Sequence, residues 1–120
     1  MMFCELPFLW TNNNNDIDIA MFQVAPMDEH GNFNLGPQVA DMWGVIKAAK
    51  KIIVEVNENM PIAHGYQTQL NLYGVDHVVE GTNSPLAELP AKDPSDIDRK
   101  IAAHVVEKIK SHSTLQLGIG

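Results

Sequence analysis

The residues best placed to do chemistry stand at the end of the chain, in Thr114-Leu115-Gln116-Leu117-Gly118-Ile119-Gly120. An alternating apolar run enters a Gly-x-Gly turn there. In α/β proteins, strands that run into closely spaced glycines bring backbone N–H groups against a phosphate or a developing oxyanion. Glycine serves because a side chain would block that approach. On spacing alone, Gly118, Ile119 and Gly120 stand equally for a ligand turn and for an ordinary strand-to-helix turn, since the dinucleotide fingerprint needs a third glycine. A second cluster is Asp28-Glu29-His30. Adjacent residues rarely converge on one metal ion, and the sequence has no HExxH or CxxC pattern, so no metal site is expected. A loop held by side-chain hydrogen bonds is the simpler account. His64, His77, His104 and His112 have no partner spacing that indicates catalysis, and His104 falls on the polar side of its helix. Cys4, the one cysteine, rules out an intrachain disulfide and reads as an inert small hydrophobe.

The elements that must position these residues follow from periodicity. Ile17 to Val24 and Ile52 to Val56 are apolar runs of the kind found in strands buried on both faces. Between them, Gln38 to Lys51 carries Val39, Met42, Trp43, Ile46 and Ala49 at helical spacing, with lysines near the end. Strand, helix, strand in this order predicts a βαβ unit with parallel pairing. Ala25 to Pro37 and Asn57 to Gly65 read as ordered loops, Asn12 to Asp16 as a turn, and Val75 to Glu80 as a third strand. Leu70 to Tyr73 is ambiguous. Met21, Met27, Met42 and Met60 read as core fillers, and Trp10 and Trp43 as packing anchors.

Gly81 to Pro94 contains three prolines and no sustained period, which places a boundary in residues 82–94. Beyond it, Ser95 is an N-cap with Asp98 at the capping-box position. Ile97, Ile101, Ala102, Val105, Val106 and Ile109 form one apolar stripe. Thr114 to Leu117 is expected to be a strand. An unpaired apolar strand there would promote self-association.

Composition narrows the function. The 120 residues are 45% hydrophobic and 19% charged, as in a globular domain. A formal charge of −7 argues against nucleic acid and anionic membrane as partners. No apolar run reaches the length of a membrane span. The start, Met1 to Trp10, lacks a basic region and is a poor signal peptide, so a reduced cytoplasmic setting is expected.

Taken together, the segments resemble the acetyl-CoA hydrolase/transferase family. The loop Gln23-Val24-Ala25-Pro26-Met27-Asp28-Glu29-His30-Gly31-Asn32-Phe33-Asn34-Leu35-Gly36-Pro37-Gln38 is similar to a signature loop of that family. Ala48 to Pro61, Val75 to Gly81, Glu88-Leu89-Pro90 and Thr114 to Gly120 then match in order, and Glu5-Leu6-Pro7 fits the segment before the first strand.

The resemblance implies an α/β fold of two CoA-transferase-like lobes, with parallel-rich sheets flanked by helices and truncated at both ends. Residues 1–81 would be the latter part of the first lobe, 82–94 the linker and 95–120 the start of the second. It implies movement of CoA between short-chain carboxylic acids through a glutamyl-CoA thioester, with acyl-CoA and a carboxylate as substrates and no covalently bound cofactor. Hydrolysis of the acyl-CoA, or a non-catalytic module, are the alternatives. Gly118, Ile119 and Gly120 would line the CoA and oxyanion loop, with Gln116 beside them. Asp28, Glu29 and His30 would lie near the active site at the lobe interface. The nucleophilic glutamate would lie beyond Gly120, since none of Glu5, Glu29, Glu55, Glu58, Glu80, Glu88 or Glu107 matches it. The 120-residue chain alone would then be inactive, and the parent protein a homo-oligomer.

Overall fold

The structure is a computed structural model that describes residues 3–12, 16–90 and 92–118. The expected turn at Asn12 to Asp16 falls largely outside those residues. The chain divides into two units, Met1–Ala87 and Glu88–Gly120.

The first unit is built on strands β1 (Ile17–Val24), β3 (Ala49–Val56) and β5 (His77–Glu80), which form a parallel sheet in the order β1-β3-β5. Helix α2 (Val39–Ala48) makes the crossover from β1 to β3. The βαβ expectation therefore holds, with one shift. Helical spacing runs on through Ala49, but Ala49 is already extended and pairs with Ile17. The ladder to β1, reinforced by Lys50 donating to Asp18 at 2.9 Å, decides the boundary over propensity. At β5 the ladder starts two residues later than the sequence suggests. The Asp76 carboxylate accepts from the Ile52 N–H at 2.7 Å, so a side chain takes the place of a ladder bond.

Two elements lie where the sequence predicted loop or ambiguity. β2 (Asn32–Asn34) pairs antiparallel with β4 (Gln69–Asn71). A short helix α1 (Leu6–Asn12) packs on α2, and the Trp10 indole donates to Asp41. Pro7 lies so close to Gly44 of α2 that a Cβ at 44 would clash with its backbone. Hydrophobic burial joins these layers: Val24, Ile52 and Val54 from the sheet meet Phe33 of β2, Leu35 just after it and Leu70 of β4, with Met42, Trp43 and Ile46 of α2 packed against them.

Among the described residues, only one face of the sheet is covered. Ala20, Val24, Ile52 and Val54 are buried, whereas Ile19 and Met21, on the opposite face, are 51% and 75% exposed. The expectation of strands buried on both faces is corrected accordingly. The α2 helix and the β2–β4 pair supply one layer, and a parallel sheet needs two. Met21 and Met27 are surface residues, while Met60 is in the core.

In the second unit α3 (Asp96–Val106) begins as expected. Ser95 and Asp98 form a capping box, with Asp98 N–H donating to Ser95 Oγ and Ser95 N–H donating to the Asp98 carboxylate. That bonding, the Ser95 hydroxyl first, holds the Asp98 carboxyl below its ordinary pKa. No residue of α3 is buried, and Ile97 is 70% exposed. Thr114 to Leu117, expected as a strand, is irregular and exposed. A strand exists only as part of a ladder, and the described residues offer this segment no partner.

Candidate functional site

In parallel α/β sheets ligands bind outside the carboxyl ends of the strands. Here that edge is formed by Val24, Val56 and Glu80 and by the loops that leave them. The loop after β1 is shaped by Asp28. Its carboxylate accepts from the N–H groups of Asn32 at 2.8 Å and His30 at 2.9 Å, and from Asn32 Nδ2 at 3.3 Å. These donors, the Asn32 N–H above all, hold the Asp28 pKa below its ordinary value, as for any carboxylate that receives several N–H bonds. Gly31 turns the chain at φ +78°, and the loop re-enters as β2. Asp28 is thus a loop brace, as the simpler sequence reading holds. Glu29 and His30 face solvent, 3.6 Å apart.

Two buried amides fasten the neighbouring loops. Asn34 accepts from the N–H groups of Gly36 and Ala63, and its Nδ2 donates to the Ala63 carbonyl at 2.9 Å. Asn57, 1% exposed, donates to the Ser84 carbonyl and to Gln23 Oε1, and accepts from the Asn59 N–H. The Gln38 side chain donates to the Gln23 carbonyl. Gln23 Nε2 donates to Glu55 at 3.2 Å, and the Glu55 carboxylate fills the space that a Cβ at Gly81 would need. One polar network therefore joins β1, β3, the N-cap residue of α2 and the segment after β5. The sequence contains no spacing signal for it, because its members meet only through sheet register.

Beside this network lies an open cleft of about 320 Å³ lined by Pro26, Val56, Glu58, Glu80, Gly81 and Asn83. The Asn83 carboxamide accepts from the Glu58 N–H, and the Asn83 carbonyl accepts from Asn59 Nδ2. Among the described residues no group of three His, Cys, Asp or Glu side chains could hold a metal ion.

Of the glycine turn, Gly118 is exposed, with nothing within 4 Å of the position a Cβ would take. Ile119 and Gly120 lie outside the described residues. Gln116 is exposed and Cys4 is a free, exposed thiol. No helix among the described residues is long and apolar enough to cross a membrane.

A crossover βαβ unit with braced loops at the carboxyl edge of its sheet defines the class: an α/β protein with an open cleft at that edge. The chain belongs to the acetyl-CoA hydrolase/transferase family, whose N-terminal domain matches residues 1–90. It is 42% identical over 120 residues to the butyryl-CoA:acetate CoA-transferase of Anaerostipes caccae, covering 98% of this chain and 27% of that protein. The crystal structure of RipA from Yersinia pestis superposes on all of the chain with a TM-score of 0.86 at 31% identity, over 27% of its own length. The 4-hydroxybutyrate CoA-transferase of Porphyromonas gingivalis gives a TM-score of 0.83 at 30% identity, over 98% of this chain and 30% of that one. The chain thus spans roughly a quarter to a third of these relatives.

Proposed function

We propose that this chain is a part of a CoA-transferase that moves CoA between short-chain carboxylic acids, of the acyl-CoA plus acetate type. The observation that carries the reading is similarity over essentially the whole chain, in sequence and in fold, to proteins named as CoA-transferases. Residues 1–81 supply the latter part of one lobe, 82–94 a linker, and 95–120 the start of the second lobe. A glutamate outside these residues attacks the acyl-CoA thioester to give an acyl-glutamyl anhydride. The released CoA thiolate then attacks the glutamyl carbonyl of the anhydride, which expels the first carboxylate and leaves a glutamyl-CoA thioester; a second carboxylate attacks that thioester and the same steps run in reverse to release the new acyl-CoA and the free glutamate. Gly118, Ile119 and Gly120 belong to the loop that faces CoA. Their contribution is backbone N–H donation to the thioester oxyanion, of order 3 kcal/mol per donor.

The braced carboxyl edge supports this reading because such a reaction depends on fixed geometry at the reacting centre. Asp28, Asn34 and Asn57 hold three loops against the sheet with hydrogen bonds of 2.8–3.3 Å.

The test is an exchange assay with butyryl-CoA and labelled acetate. The 120-residue chain alone is expected to give no labelled acetyl-CoA. A longer polypeptide containing it is expected to give acetate-dependent exchange. Exchange by the 120-residue chain itself would overturn the placement of the nucleophile. Butyryl-CoA consumption by the longer polypeptide at an equal rate without acetate would replace transfer by hydrolysis.

A further inference from the structure

The residues that follow β5 are held to the first unit by a row of amide bonds. The Gly81 N–H donates to the Val56 carbonyl at 3.1 Å and closes the β3–β5 ladder. Beyond it the chain lies along Asn57-Glu58-Asn59, and each of those three residues donates to it. Asn57 Nδ2 donates to the Ser84 carbonyl at 2.9 Å, the Glu58 N–H to Asn83 Oδ1 at 2.9 Å, and Asn59 Nδ2 to the Asn83 carbonyl at 2.6 Å. The Thr82 and Ser84 hydroxyls share a further bond of 2.9 Å. Asn57 is buried and is itself fixed, since it also donates to Gln23 Oε1 and accepts from the Asn59 N–H.

Asn83 has φ +52°, in the left-handed region. That conformation costs energy for a residue with a Cβ, although less for Asn than for most. It persists where the surroundings over-determine it. Here both oxygens of Asn83 and the carbonyl of the next residue are bonded, so loss of any one bond leaves the strain opposed by fewer. The bonds therefore form and break together.

We propose that Thr82–Ser84 is a latch that opens and closes as one piece, and that it sets how much of the connection to the second unit is free chain. Gly81 is its fixed end, tied into the ladder with the Glu55 carboxylate lying where a Cβ would stand. Pro85 is its other limit. A proline has no N–H to continue the row, and it holds Ser84 out of the helical region. When the latch opens, Asn83 returns to negative φ and three residues join the connection, adding about 10 Å of reach. The latch stands on bonds within the first unit and is independent of the reaction proposed above.

Hydrogen exchange of the 120-residue chain, followed amide by amide, tests the proposal. Asn59→Ala removes the bond to the Asn83 carbonyl and leaves the acceptor of the Glu58 N–H in place. A latch that opens as one piece should nevertheless exchange the Glu58 amide about tenfold faster, with Gly81 and Val54 changed by less than about threefold. Asn83→Ala, which removes that acceptor and raises the cost of the left-handed backbone, should accelerate Glu58 about a hundredfold. Asn59 and Asn83 are both exposed, and the Val54 amide confirms that each variant is folded. An unchanged Glu58 amide in Asn59→Ala would make the bonds independent and overturn the latch. So would a Glu58 amide that already exchanges like an unstructured peptide in the unaltered chain. Equal acceleration at Gly81 would show fraying of β5, and equal acceleration at Val54 would show loss of the whole unit; either result would overturn it as well.

Discussion

The unit from Met1 to Ala87 and the unit from Glu88 to Gly120 contain similar proportions of branched apolar residues but use them differently. In the first, Val24, Phe33, Leu35 and Val54 are almost fully buried and meet across a sheet, a helix and a β2–β4 pair. In the second, Ile97, Ile101, Val105 and Ile109 make an equally regular stripe, and every one of them is exposed. What forms α3 is local: a reciprocal Ser95–Asp98 cap, acidic residues in the first turn and helical spacing. The difference teaches that secondary structure and burial are separate outcomes. Local signals suffice for the first, while the second requires a partner surface.

The largest effect should separate the units most clearly. Phe33→Ala removes a fully buried ring and should cost about 3–5 kcal/mol, whereas Ile101→Ala on exposed α3 should stay within about 0.5 kcal/mol. Urea unfolding followed by tryptophan fluorescence reports on the first unit, since Trp10 and Trp43 both lie there. Equal losses from the two substitutions would break the contrast.

Next in size is Gly36→Ala. Gly36 has φ +61°, and an added Cβ would collide with Met60 and approach the Pro61 carbonyl. A loss of about 2 kcal/mol is expected, with the same fluorescence readout. Substitution without cost would mean that the loop before α2 is looser than the core it borders.

Ser95→Ala should cost about 1 kcal/mol of helix stability. Amide exchange is expected to accelerate across Asp96–Val106 and to remain unchanged in β1 and β3. Faster exchange in those strands as well would join the two units into one cooperative structure.

The smallest effect is the pH response of the Asp28 loop. The folded-state pKa lies below the ordinary value of 3.8, so the ionised form is the one the loop stabilises. That stabilisation is complete above the unfolded pKa and is lost as pH falls through the folded one. Asn32 amide chemical shifts should therefore stay constant from neutral pH to about the ordinary carboxylate value and change only below it. Asp28→Asn should abolish that acid step. A step centred above pH 3.8 would contradict the donor geometry.

How much was legible in the sequence follows the same division. The uninterrupted run Ile17–Val24 located a strand to the residue, and Ser95 with Asp98 located the start of α3. Those signals are local. The start of β3 at Ala49 rather than Ile52 was not legible, because pairing with Ile17 overrides helical spacing. Nor was the β2–β4 pair, since Asn32–Asn34 and Gln69–Asn71 have no strand composition and are held by each other and by Asn71 donating to Asn32. The loop signature around Asp28 marked the family, while the network of Gln23, Glu55 and Asn57 had no signal at all. It is assembled by register between segments some 30 residues apart. The apolar runs likewise indicated strands buried on both faces, and only the face toward α2 and the β2–β4 pair is covered among the described residues, because an apolar run does not say what packs against it.

The central proposal is that these residues are part of an enzyme of glutamyl-CoA transfer whose nucleophile lies outside them. The most direct measurement is intact and peptide mass spectrometry of a longer polypeptide containing this chain, after incubation with butyryl-CoA alone. The account predicts a CoA adduct on a glutamate outside these 120 residues. An adduct on Glu5, Glu29, Glu55, Glu58, Glu80, Glu88 or Glu107 would contradict it.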